Sequence, residues 1–149
     1  MAMRVFVLNG PNLKRLDLRE KSIYGDFDYS ELERFILASA RSEGIEAEVR
    51  QSDEEAELIR WLHEAADKRL PVIFNPAAFT HYSYAIRDAV AMLKAPVIEV
   101  HISNPLAREE FRHTSVVSGV ANGTISGFGI DSYRLALIAM TGLLSNLAN

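Results

Sequence analysis

The chain predicts an α/β fold in which a parallel sheet is covered by helices on both faces. Two observations carry that expectation. Short apolar runs alternate with helical patterns along nearly the whole length, and three of the runs end in polar turns rich in Asn, Pro and His. The first run, Val5-Phe6-Val7-Leu8, is continuously apolar, as a strand buried on both faces should be, and ends in Asn9-Gly10-Pro11-Asn12. Ser30-Glu31-Leu32-Glu33 reads as a capping box opening a helix with Leu32, Phe35, Ile36 and Ala40 on one face and Gly44 at its end. Ile45-Glu46-Ala47-Glu48-Val49 alternates, predicting an edge strand with one wet face. Ser52 and Glu55 repeat the capping box ahead of a helix carrying Leu58, Ile59, Leu62 and Ala66. Val72-Ile73-Phe74 forms the third strand and runs into Asn75-Pro76-Ala77-Ala78-Phe79-Thr80-His81. Ser83 to Leu93 reads as a helix with Ile86, Ala89, Val90 and Leu93 inward, followed by a strand at Val97 to His101, a fifth at Gly123 to Gly127, and a last helix from about Asp131 to Leu147. The order βαβαβαβαβα with five strands predicts a flavodoxin-like three-layer sandwich with sheet order 2-1-3-4-5. Its ligand crevice lies at the carboxyl ends of strands one and three, where Asn12 and Asn75 to His81 fall.

At 149 residues, the chain is long enough to bury a core without metal or cross-links, and is expected to form one domain over 1–149. It has no cysteine, which removes disulfides, thiolate metal sites and cysteine nucleophiles together and suits a reducing compartment such as the cytoplasm. Twenty acidic residues against sixteen basic ones give a net charge of -4, so no overall basic field favours nucleic acid or an anionic membrane. Met1-Ala2-Met3-Arg4 runs into a strand without signal-peptide anatomy, and the apolar stretch from Leu135 to Leu144 is too short to span a bilayer. One segment, about 14–27, is charged, aperiodic and longer than the usual strand-to-helix loop; it reads as a lid.

Glu99-Val100-His101 closes the fourth strand. Residues two apart on a strand share a face, so the Glu99 carboxylate can hold one nitrogen of His101 while the other faces the crevice, the wiring of an oriented acid/base histidine. His81 and His101 have no third ligand at recognisable spacing, which argues against a metal site. His63, inside a helix, reads as a surface residue. His113 reads as a support for the turn at Arg112. Trp61 lies off the main apolar face of its helix, where it marks either a subunit contact or simple half-exposure.

Seven segments, in order and spacing, resemble the type II 3-dehydroquinate dehydratases. They are Asn9-Gly10-Pro11-Asn12-Leu13; Arg19-Glu20 with Tyr24-Gly25; Gln51-Ser52; Asn75-Pro76-Ala77-Ala78 with Thr80-His81 and Ser83; Arg87-Asp88-Ala89; Glu99-Val100-His101-Ile102-Ser103-Asn104; and Arg108-Glu109-Glu110-Phe111-Arg112-His113 with Ser115. The resemblance implies a lyase that uses neither cofactor nor metal and converts 3-dehydroquinate to 3-dehydroshikimate, in aromatic biosynthesis or quinate breakdown. It implies an anti elimination in which Tyr24 on the lid removes the proton alpha to the ketone and His101 protonates the departing hydroxyl, with Glu99 setting the tautomer. A phenol of pKa about 10 is a weak base at neutral pH, so a nearby cation is needed, and Arg19 is assigned that role. Asn12 is assigned to the developing enolate, directly or through a water. The family pattern further points to Asn75, His81 and Arg112 for substrate hydroxyls, to the backbone amides of Ile102 and Ser103 for the carboxylate, and to Arg108 for lid support. It implies a homododecamer built as a tetramer of trimers, in which Asp88 reaches a neighbouring subunit's site.

The chain departs from that pattern at Lys14, Asp17 and Lys21, where Asn, Gly and Pro are common, and at Ser132, where glycine is usual. Asp17, two residues from Arg19, is expected to compete for it, and the losses of Gly and Pro change which lid conformations are easy. Rival readings fit less well. A phosphate binder of this fold needs a Ser/Thr/Gly-rich first loop, a receiver domain needs acids after the first strand, and an α/β hydrolase needs Gly-x-Ser-x-Gly; none is present. The strongest rival is a non-catalytic relative that binds a cyclitol-type carboxylic acid as sensor or partner; the presence of Arg19, Tyr24 and His101 argues against it.

Overall fold

A computed structural model describes residues 3–148. Five strands, β1 (Met3–Asn9), β2 (Ile45–Gln51), β3 (Val72–Asn75), β4 (Val97–His101) and β5 (Gly123–Ser126), pair in parallel in the order β2-β1-β3-β4-β5. This is the order expected from the alternation of strands and helices. The helices are α1 (Lys21–Tyr24), α2 (Tyr29–Ser42), α3 (Glu55–Lys68), α4 (Tyr84–Ala91) and α5 (Asp131–Ala148).

Strand alternation sorts the core into two layers. Val5, Val7, Ile73, Ile98 and Val100 face α2 and α5, where Leu32, Ile36, Tyr133, Leu137 and Met140 are buried. Phe6, Leu8, Val72, Phe74 and Val97 face α3 and α4, packing on Leu58, Leu62, Ile86 and Val90. Both faces of the central strands are therefore dry, which explains their unbroken apolar runs. β2, at the edge, buries Ile45 but leaves Glu46 and Glu48 exposed, as its alternation requires.

Four sequence expectations need correction. α2 starts at Tyr29 with Asp28 as its cap, the Asp28 carboxylate accepting from the Glu31 amide at 2.8 Å, so Ser30 lies inside the helix. Buried Tyr29 belongs to the core, and its burial favours the earlier start. Ser52 does not cap α3 either. Its amide still pairs with the Asn9 carbonyl at the end of the sheet, and its hydroxyl accepts from the Glu54 amide in a local turn. On α3 it is Ala65 that is fully buried, with Ala66 partly so. Ser83 does cap α4, accepting from the Ile86 amide at 3.1 Å. The segment over 14–27 is not an irregular loop: a 3₁₀ turn at Leu13–Leu18 and α1 place Leu13, Leu16 and Tyr24 in the core.

Among the described residues, no helix is long and apolar enough to cross a membrane.

Candidate active site

The carboxyl ends of β1, β3 and β4 converge on a cavity of about 310 Å³. It is lined by Asn12, Arg19, Tyr24, Asn75, His81, His101, Ile102, Ser103, Arg108 and Arg112, with Arg15, Pro11, Leu13, Leu18, Ala77, Ala78 and Pro105 completing the wall. Ten of the residues singled out from the sequence are thus brought together. Glu99 lies immediately behind His101. Asp88 is not there: it sits exposed on α4, paired with Arg87 at 3.0 Å.

Close approach of backbone makes the crevice. Gly10 donates its amide to the Asn75 carbonyl at 2.8 Å, and a Cβ on Gly10 would lie 2.6 Å from the Pro76 oxygen, so only glycine lets β1 and β3 end side by side here. Asn12 then takes a left-handed conformation (φ 71°), which Asn tolerates better than most residues, and its amide donates to Asp53 at 2.8 Å. Ala77 is left-handed as well (φ 54°), and its amide is held by the Asn75 side-chain oxygen at 3.1 Å.

His101 is fixed by an anion. Its Nε2 is 2.6 Å from Glu99 Oε2, while Glu99 Oε1 accepts from the hydroxyls of Ser115 and Ser118, both at 2.9 Å. Burial alone would push the Glu99 carboxyl up, but the bond and charge of His101 together with the two hydroxyls outweigh it and hold the group below the ordinary carboxylate value. Glu99 is therefore a carboxylate at neutral pH, and Nδ1 is the His101 nitrogen left for the cavity.

Tyr24 faces a different partner. The Arg19 guanidinium donates to its phenolic oxygen and also lies 4.1 Å from the ring centre, while that of Arg108 lies over the ring at 5.0 Å and donates to the Ser103 hydroxyl at 3.1 Å. The neighbouring tyrosines are held differently: Lys14 lies over the Tyr29 ring, and the Tyr133 hydroxyl meets Asn75 and Asn9. Burial pushes the Tyr29 phenol up to about 12, with Asn9 offsetting it only in part, and drives that of Tyr133 higher still.

His81 donates from Nδ1 to the Thr114 carbonyl at 2.8 Å. Burial pushes its pKa down, and the charges of His101 and Arg112 add to that effect against the opposing pull of the Thr114 carbonyl. A neutral ring with Nε2 as a bare acceptor is the result. Arg112 is braced by Glu109 at 3.0 Å, and His113 bonds the Arg108 carbonyl at 3.0 Å rather than entering the cavity. The wall carries four guanidinium groups and no carboxylate, which suits an anionic ligand.

The expected competition of Asp17 for Arg19 does not occur, because Arg15 takes Asp17 in a two-pronged pair at 2.9 and 3.0 Å. Lys21 pairs with Asp26 at 3.2 Å, Lys14 lies over the Tyr29 ring, and buried Ser132 accepts from the Phe128 amide at 3.1 Å. His63 is exposed, and Trp61 is half-buried against the second core layer under Arg50. Sequence reasoning missed Ser118, Asn9 and Tyr133. Asn9 stands at a strand end, which was a usable signal; Tyr133 had none, since its partners Asn75 and Asn9 lie 58 and 124 residues away. Among the described residues, no three His, Cys, Asp or Glu side chains come together as a metal site would need.

The chain matches the family model for dehydroquinase class II over residues 3–141. It is 57% identical to a 3-dehydroquinate dehydratase of Salinispora tropica over 135 residues, covering 91% of this chain and 94% of that protein. A 3-dehydroquinate dehydratase of Mycobacteroides abscessus is 56% identical over the same share of both chains. Among solved structures, the type II dehydroquinase of Propionibacterium acnes superposes with a TM-score of 0.92 at 51% identity, covering 95% of this chain and 98% of that one. Agreement of sequence and backbone at this level, extending through every strand end that lines the cavity, means that the chain belongs to the class II dehydroquinase family.

Proposed function

We propose that this chain dehydrates 3-dehydroquinate to 3-dehydroshikimate at the cavity between Tyr24 and His101. The observation that carries the reading is the pairing of opposite chemistries in one cavity: a phenol against the Arg19 guanidinium, and an imidazole backed by a buried carboxylate.

Tyr24, as the phenolate paired with Arg19, takes the proton alpha to the ketone, and the C–H electron pair becomes the enolate. Fixed donors in a water-poor pocket stabilise that charge, and Asn12 supplies one. His101 acts from the imidazolium form. Its Nδ1–H protonates the departing hydroxyl as the enolate collapses to the conjugated enone, water leaves, and Glu99 offsets the charge before transfer. Tyr24 ends protonated and His101 neutral, and exchange with solvent resets both. The substrate carboxylate lies at the amides of Ile102 and Ser103, with Asn75, His81 and Arg112 on the hydroxyls and Arg108 bracing the Tyr24 segment, which closes as a lid. The enzyme is cytoplasmic and assembles from trimers into a dodecamer, with Asp88 contributed to a neighbour's site. The cation-rich wall and two-sided acid/base arrangement favour this over a binding-only role.

Formation of the enone is followed by its ultraviolet absorbance; a folded protein with no absorbance gain on 3-dehydroquinate overturns the reading. Activity should survive both chelator and borohydride. All four lysines, Lys14, Lys21, Lys68 and Lys94, are exposed and none lines the cavity, so no imine is available to trap. Inactivation by borohydride only when substrate is present would point to an imine instead.

A further inference from the structure

Both ends of the Asn75 carboxamide are engaged by the protein. Its Oδ1 accepts from the Ala77 amide at 3.1 Å, and because a backbone N–H can only donate, this contact fixes which end of the carboxamide is oxygen. Nδ2 must then point the other way, where it donates to the Tyr133 hydroxyl at 2.9 Å. With its oxygen accepting from Asn75, the Tyr133 hydroxyl places its own proton on Asn9 Oδ1 at 2.6 Å. The polarity runs one way, from Asn75 through Tyr133 to Asn9.

All three residues are buried: Asn75 is 3% exposed, Asn9 and Tyr133 not at all. Burial keeps the Tyr133 phenol protonated far beyond neutral pH, so the relay does not titrate. One N–H of Asn75 is spent on Tyr133, and the second is the only donor the side chain has left for the cavity it lines. We propose that Tyr133, on α5 and outside the cavity wall, is a positioning residue that orients the Asn75 carboxamide and the left-handed Ala77 turn so that this second N–H meets a substrate oxygen.

The inference rests on Asn75 as a substrate anchor, and its test separates the two. Tyr133→Phe keeps the ring and removes the relay. KM for 3-dehydroquinate should rise about 5- to 30-fold, the cost of one misdirected buried hydrogen bond, while kcat changes less than about threefold. A merely structural role would lower the melting temperature without this split. In an Asn75→Ala background, Tyr133→Phe should have almost no further effect on kcat/KM, because the group it positions is gone. An unchanged KM in Tyr133→Phe, or effects that simply multiply, overturns the relay while leaving Asn75 as an anchor. A harmless Asn75→Ala overturns the anchor and the relay with it. If Tyr133→Phe does not fold, Asn9→Ala breaks the same chain at its acceptor end. It should raise KM in the same direction, and wild-type KM in that variant overturns the proposal.

Discussion

Tyr24 and His101 differ in what surrounds them, and the proposed mechanism gives them separate steps accordingly. Tyr24 is held by cations, with Arg19 on its oxygen and Arg108 over its ring, whereas His101 is held by an anion that three donors keep ionised. Tyr24→Phe should therefore abolish exchange of the alpha proton with solvent deuterium along with dehydration, yet leave binding largely intact because the ring stays. His101→Ala should cut net dehydration by about 10²- to 10⁴-fold while exchange continues, since the enolate still forms and reverts. Arg19→Ala should resemble the tyrosine change in milder form, because Arg108 still faces the ring. Near-normal turnover by a folded Tyr24→Phe protein would remove the lid tyrosine as base. The Glu99–His101 pair was legible in the sequence because it is local: two positions on one strand share a face whatever the rest of the chain does. Ser118 and Tyr133 were not, because each meets its partner only once distant strands and helices have packed.

At the scale of elements, continuous apolar runs gave away the central strands because two helical layers bury them from both sides. The starts of α2 and α3 were misplaced for a physical reason. Ser, Thr, Asp and Asn make local backbone bonds both at caps and in tight turns, and only burial of Tyr29 and sheet pairing at Ser52 decide between them. Likewise the short turns over 13–24 are each too brief to show a period, so buried Leu16 and Tyr24 hid inside an apparent loop. Two contacts between elements yield predictions. Gly10→Ala would drive a methyl into the Pro76 carbonyl, and since that oxygen is backbone the β3 turn must shift. We expect a loss of about 1–3 kcal/mol in stability together with a raised KM, by denaturant titration and steady-state kinetics; unchanged values of both would mean the crevice is less tightly built. Arg50 on β2 clamps Glu64 on α3 through two bonds at 3.0 and 3.2 Å, and this contact first, then Lys68, lowers the Glu64 carboxyl to about 2 from its ordinary 4.5. A carboxyl lowered in the folded state stabilises above its unfolded pKa, so the contribution is full above pH 4.5 and fades as pH falls toward 2. Glu64→Gln should cost about 0.5–1 kcal/mol at pH 7 and lose less on acidification than the wild type does. Parallel pH-melting curves for the two proteins would contradict the clamp.

For the whole molecule, charge and apolar surface point in the same direction. The chain carries a net charge of -4, yet its cavity wall holds four guanidinium groups and no carboxylate, which favours an anionic substrate there. Around α4, Tyr82, Tyr84 and Met92 remain 59%, 71% and 56% exposed, near Asp88 in the chain, whose carboxylate pairs with Arg87 and does not line its own chain's cavity. Aromatic and methionine side chains are enriched at protein contacts. A trimer-based assembly, completed as a dodecamer, would cover them and carry Asp88 into a neighbouring site. Light scattering should therefore give multiples of three chain masses, with twelve as the final state, and a monomer at working concentration would contradict the assembly. Complementation tests the shared site more sharply. Asp88→Ala and His101→Ala proteins are each expected to be impaired, the first because its neighbours lack the carboxylate and the second because it lacks the acid. After dissociation and reassembly as a mixture, some sites combine an intact His101 with an intact Asp88 from the adjacent subunit, and activity should rise above that of either parent. If mixed assemblies form and no activity returns, Asp88 acts within its own chain or not at all, and the α4 surface serves contact alone.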